Sequence, residues 1–191
     1  MLPDRFNRLG VDRPLRFVSY IESTGTQYID TGVKPDFANG DSIEVDFEGS
    51  TYPGATPGFF GSRGQYVLNG LYVVAGTCVA AGADGYTGVT CATGGRHLVT
   101  IDDTEIINNG TSSAMPRRVT CSHDMFLFGL NANGSPLVLN PDLRIYDWKY
   151  YHDGELAQHL VPALLKGNPG MWDMVSRTFF NNAGTGTFNY A

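Results

Sequence analysis

The sequence predicts an all-β fold, an antiparallel sandwich of two sheets, and three observations carry that prediction. Glycine (24 residues) and proline (10 residues) punctuate the 191-residue chain so often that almost no long run of strong helix formers survives between them. Short apolar segments with period-two alternation recur between these breaks, and turn dipeptides such as Asn69-Gly70 and Asp153-Gly154 separate several of them. With 42% hydrophobic and 17% charged residues, the chain has the apolar surface for one buried core, which excludes a disordered protein. No stretch approaches the ~20 apolar residues of a membrane helix. The first eight residues lack the apolar centre of a secretory signal, so synthesis and folding in a cytosol are expected.

Taken in order, residues 1–16 differ from everything after them. They hold four arginines against two aspartates, a net of +2, whereas the remainder has 9 basic and 17 acidic residues, a net of −8. Arg5, Arg8, Arg13 and Arg16 are interleaved with apolar anchors, Leu2, Phe6, Leu9, Val11 and Leu15. Such an arm suits docking on an acidic partner surface, since arginine pairs bidentately with carboxylates and its stem covers apolar surface. A solvated tail is the competing reading of the same residues.

Residues 17–23 read as a strand, 24–26 as a turn and 27–33 as a second extended run. Residues 42–48 alternate strictly, with Ile43, Val45 and Phe47 inward and Glu44, Asp46 and Glu48 outward. A hairpin is expected over Asn69-Gly70, a strand at 96–102 with its return at 105–107, two further strands at 117–120 and 125–130, and an exposed loop at 131–136. Residues 143–151 carry large side chains on both faces, which places this strand in the interior of a sheet. Asp153-Gly154 turns it into a returning strand, and residues 170–180 form a second small hairpin. The expected core includes Val45, Phe47, Leu98, Ile101, Phe126, Phe128, Ile145 and Trp148. Cys78, Cys91 and Cys121 are odd in number and lack CxxC spacing, so buried free thiols are expected; a Cys78–Cys91 bridge stays open if maturation occurs outside a cell.

Three segments, YIESTGTQYIDTGV at 20–33, RIYDWKYYHDGELAQHLVPAL at 144–164 and GMWDMVSRTFFNNAGTGTF at 170–188, together carry a resemblance. The chain from about Phe17 onward resembles the laminin-G-like, concanavalin A-like jelly-roll domains of bacteriophage structural proteins and of surface proteins of gut bacteria. The resemblance implies a jelly-roll sandwich over 17–191 behind the arm at 1–16, with the opening strands close to the C-terminal one. It implies display, adhesion or glycan contact, usually without a catalytic apparatus, and no particular substrate.

The E-V-D-F-E run at 44–48 has the form of the catalytic strand of laminarinase-type glycoside hydrolases, which share this sandwich. Carboxylates four residues apart on one strand face lie ~13 Å apart, against the ~5–5.5 Å of a retaining pair. No tryptophan lies within a hundred residues of the run, where those enzymes line a cleft with them, so a solvated strand face is the preferred reading and no catalytic residue is assigned. His97, His123, His152 and His159 show no ligand spacing, and no metal site is assigned. Calcium remains open at Asp102, Asp103 and Glu105, or at Asn131, Asn133 and Asp142, although turn chemistry accounts for the same residues.

The expected function is that of a bacteriophage virion structural or decoration protein, made in the host cytoplasm. Arg5, Phe6, Arg8, Leu9, Arg13 and Arg16 would dock it on the major capsid or another virion protein. A carbohydrate-binding adhesion module is the alternative, with Tyr66, Tyr72, Trp148 or Tyr150 stacking on host or mucosal sugars. A laminarinase-type hydrolase ranks third. Nothing in the sequence points to nucleic acid or membrane, and a homo-oligomer is compatible with it.

Overall fold

The computed structural model describes residues 15–49, 58–63, 68–74, 77–82, 85–92, 94–114, 120, 123–137 and 141–191. Among them the front of the chain forms β1 (Leu15–Phe17), β2 (Ile21–Thr24), β3 (Ile29–Asp30) and β4 (Ser42–Gly49), with one 3-10 turn at Phe37–Asn39. The middle forms β5 (Gly58–Arg63), β6 (Leu68–Val74), β7 (Thr77–Gly82), β8 (Gly85–Thr90), β9 (Arg96–Ile101), β10 (Glu105–Asn108) and β11 (Thr111–Ala114). Then follow β12 (Phe126–Leu127), β13 (Leu130–Ala132), β14 (Ser135–Leu137), β15 (Pro141–His152), β16 (Glu155–Leu165), β17 (Asn168–Asp173), β18 (Phe179–Asn181) and β19 (Asn189–Tyr190). The chain is all-β, and its strands make two sheets in a sandwich.

The larger sheet runs β11-β10-β9-β4-β15-β16-β17-β18, with β1 on β16, β2 on β15 and β19 on β2. The smaller runs β14-β13-β5-β6-β7-β8, with β12 joining β3 to β5. Every described pair is antiparallel except β13 with β5. As expected, β15 lies inside its sheet, with β4 along one side and β16 and β2 sharing the other.

Alternation builds the core. Ile43, Val45 and Phe47 of β4, at most 1% exposed, face Phe60, Leu127 and Phe128 from the smaller sheet, all likewise buried. Each such side chain contributes roughly 1.5–3 kcal/mol by leaving water. Ile145 and Trp148 are both fully buried although three residues apart. A register shift between Ile145 and Asp147 allows this, because the extra residue of a β-bulge moves the alternation on by one.

Two expectations fail here on the same physics. Leu98 is 46% exposed, not core, because Ile101 is buried and an odd separation on a regular strand puts the two on opposite faces; Val99 fills the core position. Asn69-Gly70 does not turn the chain: β6 runs straight through it, paired to β5 and β7, so two ladders outweigh a local turn preference. Asn-Gly pairs further along the chain turn instead, at 109–110 between β10 and β11 and again at 133–134. Asn133 and Gly134, at φ 52° and 87°, join β13 to β14, which makes residues 131–136 a hairpin in place of a loop. Strand 125–130 is likewise broken at Phe128, whose φ is 67°. The expected strand at 117–120 falls almost wholly outside the described residues.

The expected closeness of the two ends is present, since β19 pairs with β2 and Ser19 donates its backbone N–H to the Ala191 carbonyl. A clasp of hydrogen bonds reinforces it. Thr185 N donates to Thr26 O at 3.1 Å and Ala183 N to Tyr28 O at 2.9 Å. Gln27, 1% exposed, accepts from Thr24 N at 2.7 Å and donates to Thr187 O at 3.3 Å. Gly184 has no room for a side chain, because a Cβ there would stand 2.1 Å from Thr26 O. Cys91 corrects the expectation of free thiols, for it is disulfide-bonded.

Candidate functional site

The outer face of the larger sheet is where the sequence placed its only candidate acids. Glu44, Asp46 and Glu48 project there from β4, their side chains 21–25% exposed. Register decides what they meet. Lys149 of β15 stands opposite Glu44, Arg144 of β15 opposite Glu48, and Arg96 of β9 opposite Glu48 and two register positions from Asp46, on the same face.

Each carboxylate is therefore taken by a cation. Arg96 clamps Asp46 through two bonds of 2.7 Å, the bidentate geometry guanidinium favours, and this raises the pKa of Arg96. Arg144 reaches Glu22 at 3.0 Å and Glu48 at 3.3 Å, and the Tyr146 hydroxyl donates to Glu48 at 2.8 Å. Lys149 bonds Glu44, which raises the ammonium pKa, and lies 3.4 Å from Asp147. His159 Nε2 is 2.7 Å from the other Asp147 oxygen. Aromatic rings brace the ladder: Arg96 lies 3.9 Å from the Tyr146 ring centroid, Arg144 4.8 Å from that of Tyr20, and the two tyrosines meet edge-on at 5.5 Å. Burial, then the bond to Glu48, pushes the Tyr146 hydroxyl pKa up, so it stays a donor.

This arrangement is suited to rigidity and poorly suited to glycoside hydrolysis. A hydrolase needs one carboxyl kept protonated by an apolar pocket beside a second, ionised one. Here Glu44 has Lys149, and Glu48 has Arg144 and Tyr146. The ladder residues Glu22, Arg96, Arg144, Tyr146 and Lys149 were not singled out in the sequence, since acid and base become neighbours only through strand register.

Two of the four aromatic residues proposed for sugar contact, Trp148 and Tyr150, are not where stacking requires them. Trp148 is fully buried and Tyr150 8% exposed, with its hydroxyl donating to Asp41 at 2.6 Å. Both are inward-facing positions of β15, so neither presents a ring face to solvent. Asp41, 1% exposed, also accepts from Asp36 N at 2.6 Å and holds His152 Nδ1 at 2.7 Å. Burial and then the Asp41 bond raise the pKa of Tyr150, while Asp41 raises that of the exposed His152 imidazole. Tyr66 lies outside the described residues, and of Tyr72 only the backbone, within β6, is described.

Of the docking residues, Arg5, Phe6, Arg8, Leu9 and Arg13 lie outside the described residues. Arg16 is already part of the sandwich: β1 begins at Leu15, and Arg16 pairs with Leu164 of β16. Its guanidinium is 6.0 Å from the Tyr190 ring centroid. Phe17 and Tyr190, 53% and 44% exposed, flank a recess of about 500 Å³ whose walls also include Arg16, Val18, Ser19 and Ala191.

The two calcium candidates are built as turns. Asp102 Oδ1 accepts from Thr104 N, Thr104 Oγ1 and Glu105 N, and Asn131 Oδ1 from Gly134 N. Among the described residues no cluster of three or more acidic, histidine or cysteine side chains is placed to hold a metal. Compared with known proteins, the chain matches no family model and no curated sequence.

Proposed function

We propose that the chain is a non-catalytic interaction module: a laminin-G-like jelly roll displayed as a structural or decoration protein of a bacteriophage virion. One observation carries the non-catalytic half. All three outward carboxylates of β4 are engaged by cations of neighbouring strands, so the surface holds its shape and none of the three is left free to act as an acid or a base. The virion half rests on the resemblance of residues 20–33, 144–164 and 170–188 and on the basic, apolar-anchored segment ahead of the sheet. Charged contacts from Arg5, Arg8 and Arg13 would set orientation and association rate, and the apolar anchors would supply burial.

Because β1 starts at Leu15, the test is a chain lacking residues 1–14. It should fold with an unchanged melting transition and fail to join purified virions, while replacing Arg5, Arg8 and Arg13 by serine weakens incorporation in a salt-dependent way. Absence of the full chain from purified virions refutes the virion role. Full occupancy by the truncated chain moves the docking surface onto the sandwich.

A second reading, carbohydrate adhesion, is favoured by the recess at the seam of β1 and β19. Two half-exposed rings, Phe17 and Tyr190, stand there beside the Arg16 cation, an apolar-plus-polar combination that fits a pyranose. Sugar binding that survives Tyr190→Ala and Phe17→Ala would exclude this recess as the contact.

A further inference from the structure

Four Asn-Gly pairs occur in the chain, at 39–40, 69–70, 109–110 and 133–134. In this dipeptide the glycine nitrogen reaches the preceding side-chain amide most easily, because no Cβ obstructs the approach. The fold treats the four differently. Asn39 is tied to Asp36 Oδ2 through its Nδ2 at 2.7 Å. Asn69 and Gly70 are inside β6, with a strand on each side. Asn109 is held twice, its Oδ1 accepting from Leu98 N at 3.0 Å and its Nδ2 donating to Arg96 O at 3.2 Å. Asn133 is exposed at the tip of the β13–β14 hairpin, and no hydrogen bond to a described residue engages its amide. The single brake there is on the attacking group: Gly134 N donates to Asn131 Oδ1 at 2.8 Å.

We propose that Asn133 is a site of spontaneous deamidation, the position at which the folded chain ages first. A solvent base removes the Gly134 amide proton, and that nitrogen forms a bond to Asn133 Cγ. The Cγ–Nδ2 bond then breaks, and the nitrogen leaves as ammonia after taking up a proton from solvent, which leaves a five-membered succinimide. Water opens the ring at either carbonyl and gives aspartate or isoaspartate; water is the only co-reactant. Either product places a carboxylate at the hairpin tip. Isoaspartate also lengthens the two-residue turn by a backbone atom, which its left-handed geometry does not accommodate, and so loosens β14, an edge strand held by three residue pairs.

The test is incubation of the folded full chain in mildly alkaline buffer, followed by digestion and quantitative peptide mass spectrometry. The Asn133 peptide should gain the amide-to-acid mass first, and the Asn109 peptide about tenfold more slowly, the factor that ~1.4 kcal/mol of side-chain hydrogen bonding corresponds to. Asn133→Gln should remove the fast signal alone. In denaturant, where only local sequence matters, the four pairs should react at similar rates. Equal rates at Asn133 and Asn109 in the folded chain overturn the proposal. So does a fast signal that persists in Asn133→Gln, or an unfolded chain that keeps the folded order.

Discussion

Asp173 offers the sharpest test of the hydrogen-bond reasoning. It is 2% exposed at the end of β17, where one oxygen accepts from His159 N and Val175 N at 3.0 Å each. The other accepts from Ser176 Oγ at 2.6 Å and Ser176 N at 3.3 Å. These bonds pin the turn that carries Met174 and Val175, both nearly half exposed, and they explain why a carboxylate is tolerated there at all. In Asp173→Asn the retained oxygen keeps His159 and Val175, Ser176 Oγ rotates to accept, and the Ser176 N–H is left facing a donor. One bond is lost and the others lose their charge assistance; with charged bonds worth ~1.5–3 kcal/mol and neutral ones about 1, the cost is about 2–3 kcal/mol. In a domain of this size that lowers the melting temperature by roughly 4–12 °C. Burial alone would raise the carboxyl pKa, but Ser176, His159 and Val175 outweigh it and hold it below the ordinary value. The stabilisation is therefore complete above the unfolded value of about 3.9 and is lost as pH falls through the folded one. Denaturant melts of both chains at neutral and acid pH check this. A cost under about 0.5 kcal/mol at neutral pH, or a difference that does not shrink in acid, refutes the reasoning.

Three other outcomes follow from the same structure. Asp41 raises the His152 pKa, so that pair stabilises fully below the unfolded value of about 6.5 and fades as pH rises through the folded one; His152→Gln should lower the melting temperature at about pH 5 and leave it unchanged at about pH 9. Glu44→Gln and Glu48→Gln should each cost no more than about 1 kcal/mol in urea unfolding, as partly exposed ion pairs do, and leave any measured binding intact. β-Glucan hydrolysis abolished by either change would reverse the non-catalytic reading. Leu98→Thr should stay within about 0.5 kcal/mol of the parent while Val99→Ala costs roughly 1.5–3, and the opposite order in thermal melts would mean that the two faces of β9 are inverted.

The fold class was legible because alternation and turn chemistry are local. Residues 42–48 contain all that is needed to assign Ile43, Val45 and Phe47 to the core, and Asp153-Gly154, at φ 50° and 77°, turns the chain where the dipeptide said it would. Phase was harder. Leu98 and Ile101 were grouped by hydrophobicity alone, and the period of two separates them; Ile145 and Trp148 share a face only through a bulge that nothing in the sequence marks. Asn69-Gly70 and Asn133-Gly134 are the same dipeptide with opposite outcomes, since the first is paired on both sides and the second is free to turn. The outer-face ladder was the least legible part. Glu44 and Lys149 are 105 residues apart in sequence, and only the pairing of β4 with β15 brings them together.

The clasp between residues 24–28 and 182–187 has a consequence for the order in which the protein is made. Its hydrogen bonds span about 160 positions of sequence, as in Thr26 Oγ1 to Thr185 O and Gln27 Nε2 to Thr187 O, so together with the adjoining β2–β19 pairing these contacts carry a large loop-closure cost. On the ribosome β2 emerges early and waits. It has no β19 to pair with, and Gln27 has no Thr187 carbonyl to donate to, until nearly the whole domain has left the exit tunnel. The central pair of β4 and β15 completes before that, and the clasp then acts as a latch on a sheet that is already assembled. A nascent chain arrested before residue 182 would hold its front strands without their closing partner, with the backbone of β2 open along one side to whatever strand is nearest.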